Sequence, residues 1–138
     1  MGKNKIFITY FLNIKHMKNL LLLLLLIIFT SCNSQVDKKI NVIDLPTLKQ
    51  EVIGKDVQFV DVRTENEYQA GHIDDAVNID ISNETNFKNK IQELDKNKPI
   101  YIYCHSGGRS NKASKIMEEL GFTTIYDFSG GWSTWSRQ

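Results

Sequence analysis

The sequence predicts an α/β fold, with a mainly parallel sheet of five strands flanked by helices. Two observations support this. Short runs rich in β-branched and aromatic residues alternate with segments whose apolar residues recur three and four positions apart, the period of an amphipathic helix. This alternation continues from residue 40 to the end of the chain. Strands that alternate with helices usually pair in parallel, because each helix returns the chain to the same edge of the sheet.

Each element has a local signal for its position. We expect strands at 40–43, 57–62, 76–79, 100–103 and 123–128, and helices at 45–53, 64–71, 87–94 and 111–120. Asp44 is a favourable N-cap for the first helix, and Thr64 followed by Glu67 is the pattern of a capping box. We expect residues 130–132 to form a turn and Trp135 to lie in a short tail.

Length and composition restrict the class of protein. The chain has 138 residues, enough for one domain of ordinary size, and its net charge of +1 provides no basic surface for nucleic acid. Two cysteines cannot form a disulfide-rich scaffold or a four-cysteine zinc site, and the histidines show no metal-ligand spacing. We therefore expect no metal, no other cofactor and no nucleic-acid partner.

The first 32 residues differ in composition from the rest of the chain. They contain four Lys and no acidic residue, whereas the remainder has 13 Lys and Arg against 16 Asp and Glu. Residues 20–29 are an unbroken apolar run of ten residues. This run is shorter than the about 20 residues that span a bilayer, but it has the length of the apolar region of a signal peptide.

The end of this run resembles the lipobox of bacterial lipoproteins, in which small residues precede a cysteine that receives lipid. Here Thr30 and Ser31 precede Cys32. The resemblance implies three segments: a signal peptide over 1–31, a tether with a lipidated Cys32 over 32–39, and a domain over 40–138. The mature protein would then be anchored by its lipid to a membrane of the cell envelope. An uncleaved anchor is the alternative, and Met17 is an alternative start of the chain.

Cys104 is the candidate nucleophile, because it directly follows the strand predicted at 100–103. Parallel sheets bind ligands at the carboxyl ends of their strands. The segment between this cysteine and the next helix consists of His105, Ser106, Gly107, Gly108, Arg109 and Ser110. Two glycines let backbone N–H groups point inward, while the helix N-terminus and Arg109 add positive charge. A thiol in this setting has a lowered pKa and suits nucleophilic transfer of an anionic group.

Two other interpretations of this cysteine follow from the residues alone. Cys104 could be a small buried residue at the end of a strand. It could also pair with His105, but the side chains of adjacent residues rarely point together, so we expect His105 to line the loop.

Three motifs in this chain resemble those of single-domain rhodanese-like sulfurtransferases. The first is CHSGGRS at residues 104–110, which is similar to the active loop of that family. The second begins with DVRT at residue 61 and continues through EY, GHI and AVNI to residue 79. The third is GGW at residues 130–132, with Trp135 following. The chain departs from the family pattern where Asp74, Asp75 and Asp80 stand at positions that often hold Pro or Gly.

The resemblance implies a mechanism and roles for the residues. Cys104 would attack the outer sulfur of a donor such as thiosulfate, carry that sulfur as a persulfide and pass it to a thiol acceptor. Residues 105–110 would form the substrate cradle, with Arg109 binding the anionic donor. Asp61 and Arg63 would support the site in an ion-pair and capping cluster with Glu67, and Trp132 would support it as a core residue.

Alternative functions are weighed by loop length. Phosphatases that share the fold have a loop one residue longer than the six-residue loop at 104–109, so a phosphatase or arsenate reductase is disfavoured. A non-catalytic or redox-sensing binding module is the other alternative. We expect a monomer whose partners are a small-molecule sulfur donor, a thiol acceptor and, through its lipid, a membrane.

Overall fold

The computed structural model of the protein describes residues 39–138, which contain a five-stranded sheet. The strands are β1 (Ile40–Ile43), β2 (Gln58–Asp61), β3 (Val77–Asn78), β4 (Ile100–Tyr103) and β5 (Ile125–Phe128). Their order across the sheet is β1-β5-β4-β2-β3, and every neighbouring pair is parallel. The predicted α/β fold is therefore confirmed. The predicted signal peptide and lipidated Cys32 lie outside the described residues.

Five helices connect or follow these strands within residues 39–138. They are α1 (Leu45–Glu51), α2 (Glu65–Gln69), α3 (Glu84–Ile91), α4 (Gly108–Glu119) and α5 (Gly131–Trp135). Asp44 caps α1, and the Thr64–Glu67 capping box begins α2, both as predicted.

Three helices differ from the sequence prediction. Helix α3 begins at Glu84, because Asn83 accepts a hydrogen bond from the Asn86 backbone as its N-cap. Helix α4 begins at Gly108, three residues earlier than predicted, since Gly107 adopts a left-handed conformation and ends the preceding loop. Residues 131–135 form helix α5 rather than a turn and tail.

The core lies on both faces of the sheet, because side chains of the central strand β4 alternate between them. Ile100 and Ile102 face a cluster that includes α3 and α4, where Phe87 and Met117 are buried. Tyr101 and Tyr103 face the opposite cluster, which packs α1 and α5 against the sheet. Its buried members include Leu48, Val52, Phe59, Ile73 and Phe128, and the partly buried Trp132 packs against them. A sheet covered on both faces leaves the carboxyl ends of its strands as the place for a site. No helix within residues 39–138 has the length and apolar character to cross a bilayer.

Gly131→Ala is expected to destabilise the protein more than Gly54→Ala. Both glycines have a left-handed backbone, with φ of 56° and 71°, respectively. Either substitution therefore has a conformational cost of about 1–2 kcal/mol. At Gly131 the added Cβ would also meet the carbonyl oxygens of Cys104 and His105, whereas nothing lies within 4 Å at Gly54. Denaturant unfolding of the two variants measures the difference, and equal losses of stability would contradict a tight contact at Gly131.

Candidate active site

Cys104 lies at the carboxyl end of β4, where its side chain is only 1% exposed. The residues that follow it turn outward, because His105, Ser106 and Gly108 are exposed. His105 lines the outer side of this loop, as predicted for a residue that does not pair with its neighbour.

The loop directs backbone N–H groups at the sulfur. Gly107 N donates a hydrogen bond to Cys104 Sγ at 3.1 Å. Its φ of 92° is left-handed, and an added Cβ would lie 2.8 Å from the carbonyl oxygen of Ser129. Glycine is therefore needed at this position, both for the backbone conformation and for the close approach of the β5–α5 connection.

The N-terminal turn of helix α5 donates backbone hydrogen bonds to the active loop. Trp132 N donates to the Cys104 carbonyl at 2.9 Å, and Ser133 N donates to the His105 carbonyl at 2.9 Å. A trans peptide places its C=O and N–H on opposite sides, so fixing the His105 carbonyl turns the Ser106 N–H in the other direction. That N–H hydrogen-bonds the Cys104 thiol. The C-terminal motif therefore orients the active loop, a role beyond the core packing that the sequence suggested.

Two opposing effects set the acidity of the thiol. Burial raises the pKa of Cys104, because an anion loses hydration in the protein interior. Hydrogen bonds from the Ser110 side chain and backbone, and from the Ser106 and Gly107 backbones, act in the opposite direction. Together they hold the pKa below its ordinary value, as the sequence predicted. Ser110 contributes the leading hydrogen bonds, a contribution that the sequence prediction did not assign.

Arg109 forms a two-point ion pair with Glu67. Its Nη1 and Nη2 lie 2.6 Å and 2.7 Å from the two carboxylate oxygens of Glu67. Hydrogen bonding to Glu67 raises the pKa of Arg109, and the nearby Cys104 charge adds to this effect. The expected ion pair of Asp61 with Arg63 and the expected cap by Glu67 are both present. Glu67 also pairs with the loop arginine across 42 residues of sequence, a contact that was not predicted.

Asp61 and Arg63 form a separate, buried ion pair. Asp61 is 0% exposed, Arg63 is 2% exposed, and Arg63 Nη2 lies 2.6 Å from Asp61 Oδ2. The same nitrogen donates to the Gly71 carbonyl at 2.6 Å. Burial opposes the charge of Arg63, but hydrogen bonding and attraction to Asp61 outweigh it and raise the pKa of the guanidinium. Each charge is thus paired inside the protein, at the carboxyl end of β2.

Trp132 joins this ion pair to helix α5. The Arg63 guanidinium lies 4.8 Å from the centroid of the Trp132 ring and 5.6 Å from that of Tyr103. A cation over an aromatic face is stabilised by the ring's quadrupole. The partly buried Trp132 also covers Gly71, where an added Cβ would lie 2.9 Å from the ring. Trp132 therefore belongs to the structural support of the site.

Two buried polar residues next to the site, Tyr103 and Asp127, were not predicted. Burial raises the pKa of the Tyr103 hydroxyl and so favours its neutral form. This hydroxyl accepts a hydrogen bond from Ile73 N at 2.9 Å. Asp127 lies on β5 and is 1% exposed. The alternation of side chains along β5 could have predicted that Asp127 is buried, since it lies on the same face of the sheet as Ile125. Within residues 39–138, no group of three or more His, Cys, Asp or Glu side chains could hold a metal ion.

Comparison with known proteins assigns the family. Residues 44–138 match the family model described as the rhodanese-like domain. The chain belongs to the rhodanese-like domain family. The family predicted from the three motifs is therefore confirmed.

Relatives within the rhodanese-like family differ in activity and length. The chain is 36% identical over 88 residues to thiosulfate sulfurtransferase GlpE of Shewanella oneidensis, covering 64% of this chain and 84% of that protein. It is 38% identical over 78 residues to the uncharacterized protein YqhL of Bacillus subtilis, covering 56% of this chain and 60% of that protein. It is 36% identical over 98 residues to tRNA uridine(34) hydroxylase of Pelagibacter ubique, covering 71% of this chain but only 33% of that protein.

A solved structure supports the same fold. A rhodanese-like domain protein from Staphylococcus aureus is 31% identical, with a TM-score of 0.60, and the match covers 69% of this chain and 90% of that chain. The rhodanese-like architecture of residues 39–138, with its five parallel strands, is therefore shared with a protein of known structure.

Glu67→Gln is expected to make stability less dependent on acid pH. Hydrogen bonding from Arg109, aided by Thr64, outweighs burial and lowers the pKa of Glu67 from 4.5 to about 2. A carboxylate whose pKa falls on folding stabilises the fold above its unfolded pKa, and this contribution disappears as the pH falls from 4.5 to about 2. The variant should be less stable at neutral pH and should lose less stability across this window, measured by urea unfolding as a function of pH.

Glu84→Gln is the matched control for this experiment. Hydrogen bonds from Lys88 and Lys112 lower the pKa of Glu84 to about 2 as well, but this group is on the outer face of α3. Exposed ion pairs add little stability because water screens them. A greater loss of stability in Glu84→Gln than in Glu67→Gln would contradict our interpretation of the Arg109 pair.

Proposed function

We propose that this protein is a sulfurtransferase that moves sulfane sulfur from thiosulfate or a related donor to a thiol acceptor through a persulfide on Cys104. The observation that carries the proposal is the convergence of hydrogen-bond donors on one sulfur, with Gly107 N at 3.1 Å from Cys104 Sγ. Ser106 and Ser110 add donors to the same atom. Similarity to thiosulfate sulfurtransferase GlpE supports the choice of reaction.

The first half-reaction forms the persulfide. The Cys104 thiolate attacks the outer sulfur of thiosulfate, a new S–S bond forms, and the S–S bond of the donor breaks. Sulfite leaves with the electron pair of that bond. The terminal sulfur of the persulfide carries the negative charge, and the loop N–H groups are suited to stabilise it because they already converge on the cysteine sulfur.

The second half-reaction regenerates the enzyme. The thiolate of the acceptor attacks the terminal sulfur, so that the acceptor becomes a persulfide and Cys104 leaves as the thiolate. The hydrogen bonds that lower the pKa of Cys104 make it a better leaving group in this step. One cysteine is sufficient for this cycle.

Arg109 is proposed to attract the anionic donor, while Glu67 holds the Arg109 side chain in place. A guanidinium has five N–H groups that can donate hydrogen bonds. The ion pair with Glu67 uses one N–H of Nη1 and one of Nη2. The Arg109 side chain is 35% exposed, so part of it faces solvent beside the loop. The negative charge of Glu67 also offsets the positive charge of Arg109. The pair therefore attracts a doubly charged anion less strongly than an unpaired arginine would.

Mass spectrometry of the intact protein after incubation with thiosulfate tests the persulfide. We expect a mass gain of one sulfur atom, which cyanide removes as thiocyanate. Cys104→Ser and prior treatment with iodoacetamide should each abolish the gain, whereas Cys32→Ser should retain it. If a reactive Cys104 gains no sulfur from thiosulfate or polysulfide, the protein is a binding or redox-sensing module instead.

We also propose that Cys32 carries lipid and anchors the protein to a membrane of the cell envelope. The support is the apolar run at residues 20–29, followed by Thr30, Ser31 and Cys32. Stable anchoring needs more than one acyl chain, which a diacylglyceryl-modified cysteine provides. Cys32→Ser should release or misprocess the protein, as measured by fractionation and gel mobility, while Cys104→Ser should stay in the membrane. A Cys32→Ser protein that remains membrane-bound at unchanged size would contradict lipidation.

A further inference from the structure

Asp127 is a buried acid that the proposed sulfur transfer leaves unused. Its side chain is 1% exposed, and its Oδ1 has no hydrogen-bond partner within residues 39–138. It lies in β5 between Val42 of β1 and Ile102 of β4, both apolar. On the α4 side, the group that meets its carboxyl is the hydroxyl of Ser110. The titratable group nearest to it through these neighbours is the Cys104 thiol, on which the same Ser110 hydroxyl acts.

These surroundings favour the neutral form of the carboxyl. A buried carboxylate needs hydrogen bonds or a counter-ion to replace lost hydration, and an oxygen without a partner makes the ionised form costly. Burial accordingly raises the pKa of Asp127, and the Ser110 hydrogen bond offsets this only in part. A protonated carboxyl has one O–H to donate.

Ser110 connects Asp127 to the cysteine. It is the first buried side chain of α4, and it interacts with the Cys104 thiol as well as with the Asp127 carboxyl. Its Oγ also donates a hydrogen bond to the Gly107 carbonyl at 3.1 Å, and this carbonyl already accepts one from Asn111 N at 3.0 Å. Three acceptors thus surround a hydroxyl that has a single hydrogen to donate.

The protonation of Asp127 decides which acceptor receives that hydrogen. An ionised Asp127 can only accept, so it would draw the Ser110 hydrogen away from the sulfur. A protonated Asp127 donates to Ser110 Oγ and leaves the hydrogen free. The Cys104 thiolate, being charged, then competes better for it than the neutral Gly107 carbonyl, because hydrogen bonds to charged groups are stronger.

We propose that Asp127 is a positioning residue for Cys104: its protonated carboxyl donates a hydrogen bond to Ser110 Oγ and so directs the Ser110 hydroxyl hydrogen to the cysteine sulfur. This inference adds a residue to the proposed sulfur transfer. It concerns the ionisation of the thiol, so it can be tested without any sulfur donor, and its failure is distinguishable from failure of the proposed reaction.

The test measures the rate of iodoacetamide alkylation of Cys104 against pH, using the full chain and the mass of the peptide that carries this residue. Asp127→Val removes the donor, and Ser110 then turns to the Gly107 carbonyl. We expect the midpoint of the profile to rise by about one pH unit, which is a tenfold loss of thiolate below the midpoint. Asp127→Asn keeps a donor and should stay within about twofold of the original rate.

The Ser110→Ala background separates positioning from a direct effect of Asp127. In that background, both Asp127 variants should leave the profile unchanged, since the connecting hydroxyl is absent. Ser114→Ala is the matched control, because this serine is buried one turn later on α4 and donates to the Ser110 carbonyl at 2.9 Å. It should not move the midpoint.

Three results would overturn the proposal. They are an unchanged midpoint in Asp127→Val, an equal rise for Val and Asn at this position, and the same rise in the Ser110→Ala background. Infrared spectroscopy gives an independent check: the band of a protonated carboxyl should be present at neutral pH and absent in Asp127→Asn. Loss of a buried, incompletely paired carboxyl does not by itself weaken the fold, so a retained unfolding transition in Asp127→Val shows that a slower alkylation is not due to unfolding.

Discussion

The site depends on the two hydrogen bonds that helix α5 donates to the carbonyls of Cys104 and His105, each 2.9 Å long. A backbone carbonyl left free in this loop could rotate toward the cysteine, where its partial negative charge would oppose a thiolate. Fixing the carbonyls outward turns the loop N–H groups inward, since both belong to the same rigid peptide planes. The helix can come this close because Gly131 has no side chain to meet the Cys104 carbonyl.

Charge near the site is balanced by pairing. The Asp61–Arg63 pair is buried at the end of β2, and the Arg109–Glu67 pair is only partly buried. Each arginine is close enough to its carboxylate that neither presents an isolated positive charge. The lowered pKa of the thiol is therefore produced mainly by short-range hydrogen bonds from the loop and Ser110, working against burial. Such donors act on the sulfur directly, whereas a paired arginine contributes a weaker field.

The two faces of the sheet have different functions. The face toward α1 and α5 holds Trp132 and the aromatic core that anchors the C-terminal motif. The face toward α4 is mainly apolar, and the buried polar side chains of α4 and β5 are Ser110, Ser114 and Asp127. A buried polar group that lacks a hydrogen bond in a mainly apolar layer lowers stability. The role that we propose for Asp127 is to position the Ser110 hydroxyl.

Much of the fold and the candidate nucleophile could be predicted from the sequence, because these depend on local patterns. Alternating strands and helices indicated a parallel sheet, and the glycines after Cys104 indicated a loop that could turn its N–H groups inward. The Thr64–Glu67 capping box is also local, since its partners are three residues apart. The family motifs added the nucleophile's expected chemistry.

Only the tertiary structure decided how distant residues meet. Glu67 reaches Arg109 across 42 positions, and the α5 backbone reaches Cys104 from the other end of the domain. Segment 131–135 is too short to be predicted as a helix and begins with a glycine. It forms because the carbonyls of the loop accept hydrogen bonds from the N–H groups of its first turn. The burial of Cys104 and the meeting of Asp127 with Ser110 likewise result from packing α4 onto the sheet. Local spacing cannot encode these contacts, since they depend on the order of strands and on which side of the sheet each helix lies.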